Sequence, residues 1–252
     1  MTVRSGLLAA ALVLTTHPPA SAGEVRALAA NALKAPLQEL ASAFGAASGH
    51  RVTIAWGGTE GIVRRVNDGE QVDIVLIGSD GLDRLIANGR LVAATRAEFV
   101  RSGVGVAVRA GLPAPNLSTA EFVREALLAA PSIAYSSGPS GVHVAAMIRR
   151  MGIADRVAHK VIQPASGVQV AELLARGEAD IGFQQVSELL HAKGITYLGP
   201  LPPEIQVVTV YALALAPSAV GSDAATGLAR FLVGPDVAAV AAGAGLEPGR
   251  NP

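Results

Sequence analysis

The sequence predicts an α/β fold with mainly parallel sheets, on three observations. Short apolar, strand-like runs alternate with longer helix-like runs along most of the chain, which is the rhythm of layered α/β proteins. Four strand-to-helix junctions are small and polar: "LAANAL" (28–33), "AWGGTEG" (55–61), "YSSGPSG" (135–141) and "PASGV" (164–168). Two Pro-rich breaks, at 111–115 and 200–203, interrupt the alternation.

Taken in order, residues 25–29 read as a strand, 35–47 as a helix, 51–55 as a strand, 61–67 as a short helix and 73–77 as a buried strand. Residues 103–108 form a further strand, and the Gly-Leu-Pro-Ala-Pro break precedes a helix over 119–130. Segments 133–135, 142–151, 160–163, 168–175 and 180–183 continue the strand and helix rhythm. After the second break, "IQVVTVYALAL" (205–215) is rich in β-formers, and 224–232 and 235–242 return to helix. The breaks divide the chain into an outer part and an inner one. Lobe I is expected over 23–104 and 210–252, lobe II over 105–209, with hinge strands near 104–110 and 205–213. A cleft between two such lobes is a common seat for a ligand.

The totals exclude several function classes. With 252 residues, half hydrophobic and 16% charged, the chain buries a large core and is no disordered tail. Twenty basic residues balance twenty acidic ones, so a broad nucleic-acid footprint is not expected. There is no cysteine, hence no disulfide, thiolate metal site or cysteine nucleophile. Arg4, the apolar run 6–14 and Ala20-Ser21-Ala22 read as a cleaved export signal over 1–22. That run is too short to span a bilayer, and no later segment is long enough, so no membrane insertion is expected. The mature protein is expected to be exported to the periplasm as a monomer.

The four polar turns fall at the carboxyl ends of strands, where ligands gather in α/β sheets. Their side chains (Asn31, Thr59, Ser137, Ser140, Ser166) are neutral hydrogen-bonding groups, and Gly58, Gly141 and Gly167 let backbone approach closely. Helix N-caps favour the same residue types, but four such turns together point to an anion held at helix ends. Val168 would add a backbone donor. "GGTEG" has neither the Lys nor the spacing of a P-loop, and no G-x-G-x-x-G follows a strand. "GPSGV" is not a G-x-S-x-G elbow. The histidines show no metal-ligand spacing, so no metal or other cofactor is expected. Glu60 and His143 are the titratable residues in these turns, each a candidate acid or base. Arg64 and Arg65 follow on the second helix, where one of them can face the cleft. The strand 180–183 runs into Gln184 and Gln185, and Gln185 is a candidate ligand group.

With these residues in view, "PLQELASAF", "NDGEQVDIVLIGSD", "SGVHVAAMIRRMGIAD" and "VAELLARGEADIGF" resemble, in order and spacing, the type II periplasmic binding proteins of the molybdate-binding family. The resemblance implies two α/β lobes, a hinge, and an oxyanion held at helix N-termini without a cationic side chain. Carried over, the family's first-turn serine falls on Ala32 beside Asn31, and its serine-rich second turn on Gly58-Thr59-Glu60. Its third and fourth backbone donors fall on Ser140 and Val168, and its tyrosine on Gln185. "IGFQQVSELL", "GPLPPEIQVVTV", "TIAWGGTEG" and "SIAYSSGPSG" are similar to the branch that contains periplasmic aconitate isomerase. The implied function is a periplasmic binding protein for a small polycarboxylate or oxyanion, feeding an ABC-type permease. The alternative implied by the branch is cis/trans-aconitate isomerisation in the same cleft, with Glu60 and His143 as its catalytic residues. The effector lobe of a transcription regulator shares this fold but would need a DNA-binding helix pair and no export signal.

Overall fold

The computed structural model describes residues 22–165 and 167–250. The expected leader lies outside them except for its last residue, and Ser166 lies outside them too.

The first strand β1 (Glu24–Ala30) passes through a short 3-10 turn, Asn31–Leu33, into α1 (Lys34–Ser48). Helix α1 buries Pro36, Leu37, Leu40, Ala41 and Phe44, the spacing of a single helical face. It stops at Gly49, whose φ of 75° is the left-handed cap that glycine adopts without steric cost. Next come β2 (Arg51–Gly57), α2 (Thr59–Asn67), β3 (Ile74–Gly78) and α3 (Ser79–Ala87). Strand β3 is buried along its whole length, as its unbroken apolar sequence predicts.

The long strand β4 (Ala97–Arg109) leads to α4 (Ala120–Ala129), whose first turn is capped by the Thr119 hydroxyl accepting from the Phe122 N–H. Strand β5 (Ile133–Tyr135), α5 (Pro139–Arg150), α6 (Ala154–Val157) and β6 (Val161–Ile162) follow. Then come α7 (Val170–Ala175), β7 (Ile181–Gln185), α8 (Val186–Leu189) and β8 (Ile195–Pro200). The chain closes with β9 (Val208–Leu215), α9 (Asp223–Phe231), α10 (Val237–Gly243) and β10 (Glu247–Pro248). Helices α3, α6 and α8 and strands β8 and β10 are additional to the elements expected from the sequence. No helix among the described residues is long and apolar enough to cross a membrane.

Two bodies of core lie along one curled sheet of order β2-β1-β3-β9-β4-β7-β5-β6. Leu28, Leu37, Leu76, Leu213 and Leu228 belong to the first core. Val106, Val123, Met147 and Phe183 belong to the second, beside a smaller cluster around Val170, Leu174 and Leu189. Mixed α/β layering in two lobes is therefore the architecture.

The parallel pairing expected from strand and helix alternation holds for β1 with β2 and β3, and for β5 with β6 and β7. Strands β4 and β9 pair antiparallel with their neighbours, because they run between the two cores and not within one βαβ layer. Residues Ala97 to Gly103 of β4 pair with β9, and Val104 onward pairs with β7. At that crossing Gln206 bonds the Val104 backbone: its Oε1 accepts from the Val104 N–H at 2.8 Å, and its Nε2 donates at 3.0 Å to the Val104 carbonyl, which also accepts from the Leu201 N–H.

Candidate functional site

The four polar turns meet. Residues from the ends of β1 (Ala30, Asn31, Ala32), β2 (Gly57, Gly58, Thr59), β5 (Ser136, Ser137, Gly138, Pro139, Ser140), the turn ahead of α7 (Gly167, Val168, Gln169) and β7 (Gln184, Gln185) wall one small cavity between the two cores. Its free space is about 40 Å³, room for a small group of atoms. Helices α2 and α5 begin at it, with Gly58 and Gly138 at their N-caps and no side-chain cap in either. Their first N–H groups are thus left for whatever occupies the cavity. Pro139 at the start of α5 costs nothing there, since its absent N–H belongs to an unpaired position. No Lys, Arg or His lines the cavity among the described residues.

Most of the predicted residues stand on this wall: Asn31, Gly58, Thr59, Ser137, Ser140, Gly167, Val168 and Gln185. Asn31 Nδ2 donates to the Gly167 carbonyl at 2.9 Å, and Ser187 Oγ donates to the Ala32 carbonyl at 2.8 Å. These two bonds tie the β1 turn to the opposite side. Thr59 is almost wholly buried, its hydroxyl accepting from the Gly78 N–H at 3.4 Å. Ser140 Oγ is 2.9 Å from Ser136 Oγ. Gly141 is not on the wall but beneath it, where a Cβ would stand 1.5 Å from the Ser136 carbonyl oxygen. Its role is to let α5 pass under the turn.

The structure places the two candidate acid and base residues elsewhere. Glu60 and His143 line an adjoining, larger depression with Asp80, Val142, Val207 and Val208, which shares Thr59, Ser137, Gly138 and Pro139 with the cavity. Glu60 turns outward to Arg84, 2.5 Å away, because Thr59 takes the inward position on the first turn of α2. His143 Nε2 bonds the Ile205 carbonyl at 2.8 Å. Burial lowers the His143 pKa, against the opposing pull of that carbonyl, so the neutral ring with Nε2–H donating is the favoured form. Arg64 is exposed and Arg65 pairs with Glu70, so neither enters the cavity.

Five wall residues with polar side chains were absent from the sequence candidates: Ser136, Gln169, Gln184, Glu188 and Tyr211. Gln184 is spent on structure, its Oε1 accepting from the Val170 N–H at 2.8 Å and its Nε2 donating to Gln169 Oε1 at 2.9 Å. Gln185 is 1% exposed; its Nε2 donates to Thr209 Oγ1 at 2.9 Å while its Oε1 has no partner. A hydroxyl can donate as well as accept, so the amide can turn over and offer its NH₂ to the cavity. Glu188 is half-buried on the wall, and desolvation pushes its carboxyl up to about 7, against the pull of Gln169, Gln184 and the Gln185 backbone. Tyr211, also buried and repelled by Glu188, is raised well above the ordinary phenol value and stays neutral. The wall is therefore a set of neutral donors with one carboxyl that titrates near neutrality. Among the described residues no group of His, Cys, Asp and Glu could hold a metal ion.

Known proteins resemble the chain along most of its length. The profile of the family described as bacterial extracellular solute-binding protein matches residues 25–247. An aconitate isomerase from Pseudomonas sp. is 30% identical over 246 residues, covering 94% of each chain. The molybdate-binding protein ModA of Azotobacter vinelandii is 26% identical over 187 residues, 73% of this chain and 70% of that one. The solved structure of the periplasmic molybdate-binding protein of Azotobacter vinelandii superposes with a TM-score of 0.76 at 20% identity, covering 90% of this chain and 99% of that one.

Proposed function

The chain belongs to the bacterial extracellular solute-binding protein family, and on that premise we propose that it is a periplasmic receptor that closes its two lobes on a small anion and hands it to an ABC-type permease. The observation that carries this reading is the cavity itself: uncapped beginnings of α2 and α5 and neutral side-chain donors converge from both cores, with no cation among the described residues that line it. Charge-assisted hydrogen bonds from such donors contribute roughly 1.5–3 kcal/mol each, so a few suffice for micromolar affinity without a salt bridge. Lobe I over 23–104 and 210–252 and lobe II over 105–209 are the bodies that would move, about strands β4 and β9. The test is a thermal-shift panel of molybdate, tungstate, sulfate, citrate, cis-aconitate and trans-aconitate. One or more of these should raise the melting temperature with the concentration dependence of mass action; no shift from any of them rejects the reading.

A second reading, aconitate isomerisation, is favoured by the depression beside the cavity. With one carboxylate of a tricarboxylate held in the cavity, the carbon body extends past Thr59 and Pro139 toward His143 and Glu60. Isomerisation needs a base to take an allylic proton and an acid to return one. A neutral His143 and the Glu60 carboxylate are the groups proposed for that exchange. Interconversion of cis- and trans-aconitate by the purified protein, followed by proton NMR, decides between catalysis and binding alone.

A further inference from the structure

We propose that Glu188 makes this a proton-coupled anion site: the carboxylate takes up one proton from solvent as the anion enters, and then meets the ligand as a neutral hydrogen-bond donor. The proposal rests on the anion-site reading given above.

Three features of the geometry support it. Glu188, on α8, shares the cavity wall with Gln185 and Tyr211, so any anion bound there lies in the same small enclosed space as its carboxyl. Among the described residues no cationic side chain lines that space to offset two negative charges. Glu188 also lines an adjoining outer depression with Lys34, Gln38, Glu172 and His191, which shares Asn31, Ala32, Gly167 and Gln169 with the cavity. Glu188 thus borders both spaces, and a proton can reach it from the outer one.

The charged and titratable groups around it follow the same division. Lys34 at the start of α1, Glu172 on α7 and His191 just after α8 all stand on the outer side. Tyr211 on β9 faces the carboxyl from within and is neutral. Tyr197 on β8 packs with Leu189 against Gly105, and β4 presents Val104 to Val106, which carry no charge. Burial alone, opposed only by amide and backbone contacts, brings Glu188 to about 7 before any ligand is present. A second negative charge in the cavity disfavours the carboxylate further, so the bound state carries the proton over a wider pH range than the free one.

The deciding experiment is isothermal titration calorimetry with sulfate, molybdate, cis-aconitate and trans-aconitate, each in two buffers of different ionisation enthalpy, HEPES and Tris at pH 8 and MES and bis-Tris at pH 5.5. For the anions that bind, the wild type should take up close to one proton per anion at pH 8. At pH 5.5 sulfate and molybdate should draw almost no proton. Their Kd should rise about tenfold per pH unit above neutrality. The E188Q variant, whose amide mimics the protonated carboxyl, should bind with a Kd independent of pH and no proton uptake at pH 8. Wild-type binding without proton uptake, or uptake that persists in E188Q, overturns the proposal and leaves the anion site standing. Failure of every probe to bind overturns the anion-site reading and this inference with it. The wild-type measurement needs no variant, so it stands even where E188Q fails to fold.

Discussion

The side-chain amide of Asn31 donates to the carbonyl oxygen of Gly167 at 2.9 Å, across 136 residues of sequence. Asn31 follows the end of β1 on the first core, and Gly167 precedes α7 on the second. Gly167 adopts a φ of 92°, a conformation that L side chains rarely accept, and this turns its carbonyl toward the latch. Asn31→Ala deletes one donor that holds the lobes together. A net hydrogen bond is worth roughly 0.5–1.5 kcal/mol, so anion affinity should fall about two- to tenfold, with a larger radius of gyration in small-angle scattering at sub-saturating ligand. Equal affinity and equal radius would show that the latch is incidental.

Gly141→Ala tests the turn below the cavity. The added Cβ would overlap the Ser136 carbonyl oxygen, a backbone atom that cannot rotate away. Overpacking of this kind costs about 1–3 kcal/mol and more where backbone must move. The melting temperature should drop by at least about 2 °C, and anion affinity should fall with it, because Ser136, Ser137 and Ser140 shift together. A variant with the wild-type melting curve would mean that α5 approaches the turn less closely than the structure has it.

Much of this fold is legible in local pattern, and the limits of that legibility are physical. The apolar run of β3 and the helical stretches of α1 and α4 are legible in the sequence, although Thr119, placed there within the helix, caps it instead. Helix α3 escapes because "SDGLDRLIA" holds a helix-weakening glycine; Gly81 is there because a Cβ would come within 2.5 Å of Thr59 Cγ2. Strand direction has no signature in side-chain period, so the antiparallel pairing of β4 and β9 is invisible locally. At the site, the Gly, Ser and Asn turns announce themselves by composition. Glu188 and Tyr211 do not, since Glu188 sits in a single helical turn, "VSEL", and Tyr211 in the apolar strand "VTVYALAL", and each reaches the cavity only through tertiary packing.

Stability should depend on pH through Glu188. Its carboxyl titrates near 7 in the folded protein against an ordinary 4.5. Between those values the folded state holds more protons than the unfolded one, so this residue's contribution is fully present below about pH 4.5 and is lost as pH rises through about 7. E188Q removes the penalty. It should be more stable than the wild type by up to about 3 kcal/mol at pH 8, with the difference vanishing near pH 4. Urea denaturation midpoints at the two pH values measure it, and a pH-independent difference contradicts the assignment.

Gln185 should show function set against stability. Its Oε1 is buried without a partner while Nε2 is held by Thr209, and an unsatisfied buried acceptor costs about 1–3 kcal/mol. Such a group persists in a folded protein when it serves something else. Gln185→Leu keeps similar volume, removes the orphan acceptor and removes the amide from the cavity wall. The variant should therefore melt at the same temperature or higher, yet bind its anion at least about tenfold more weakly, since the amide donor that turns toward the ligand is gone. Thr209→Val should act in the opposite sense on stability, because it strips Gln185 of its one side-chain partner and leaves a second polar atom unpaired. Calorimetric Kd values beside melting curves for both variants separate the two roles: loss of stability in Gln185→Leu with affinity intact would make this amide a packing group and take it out of the binding site.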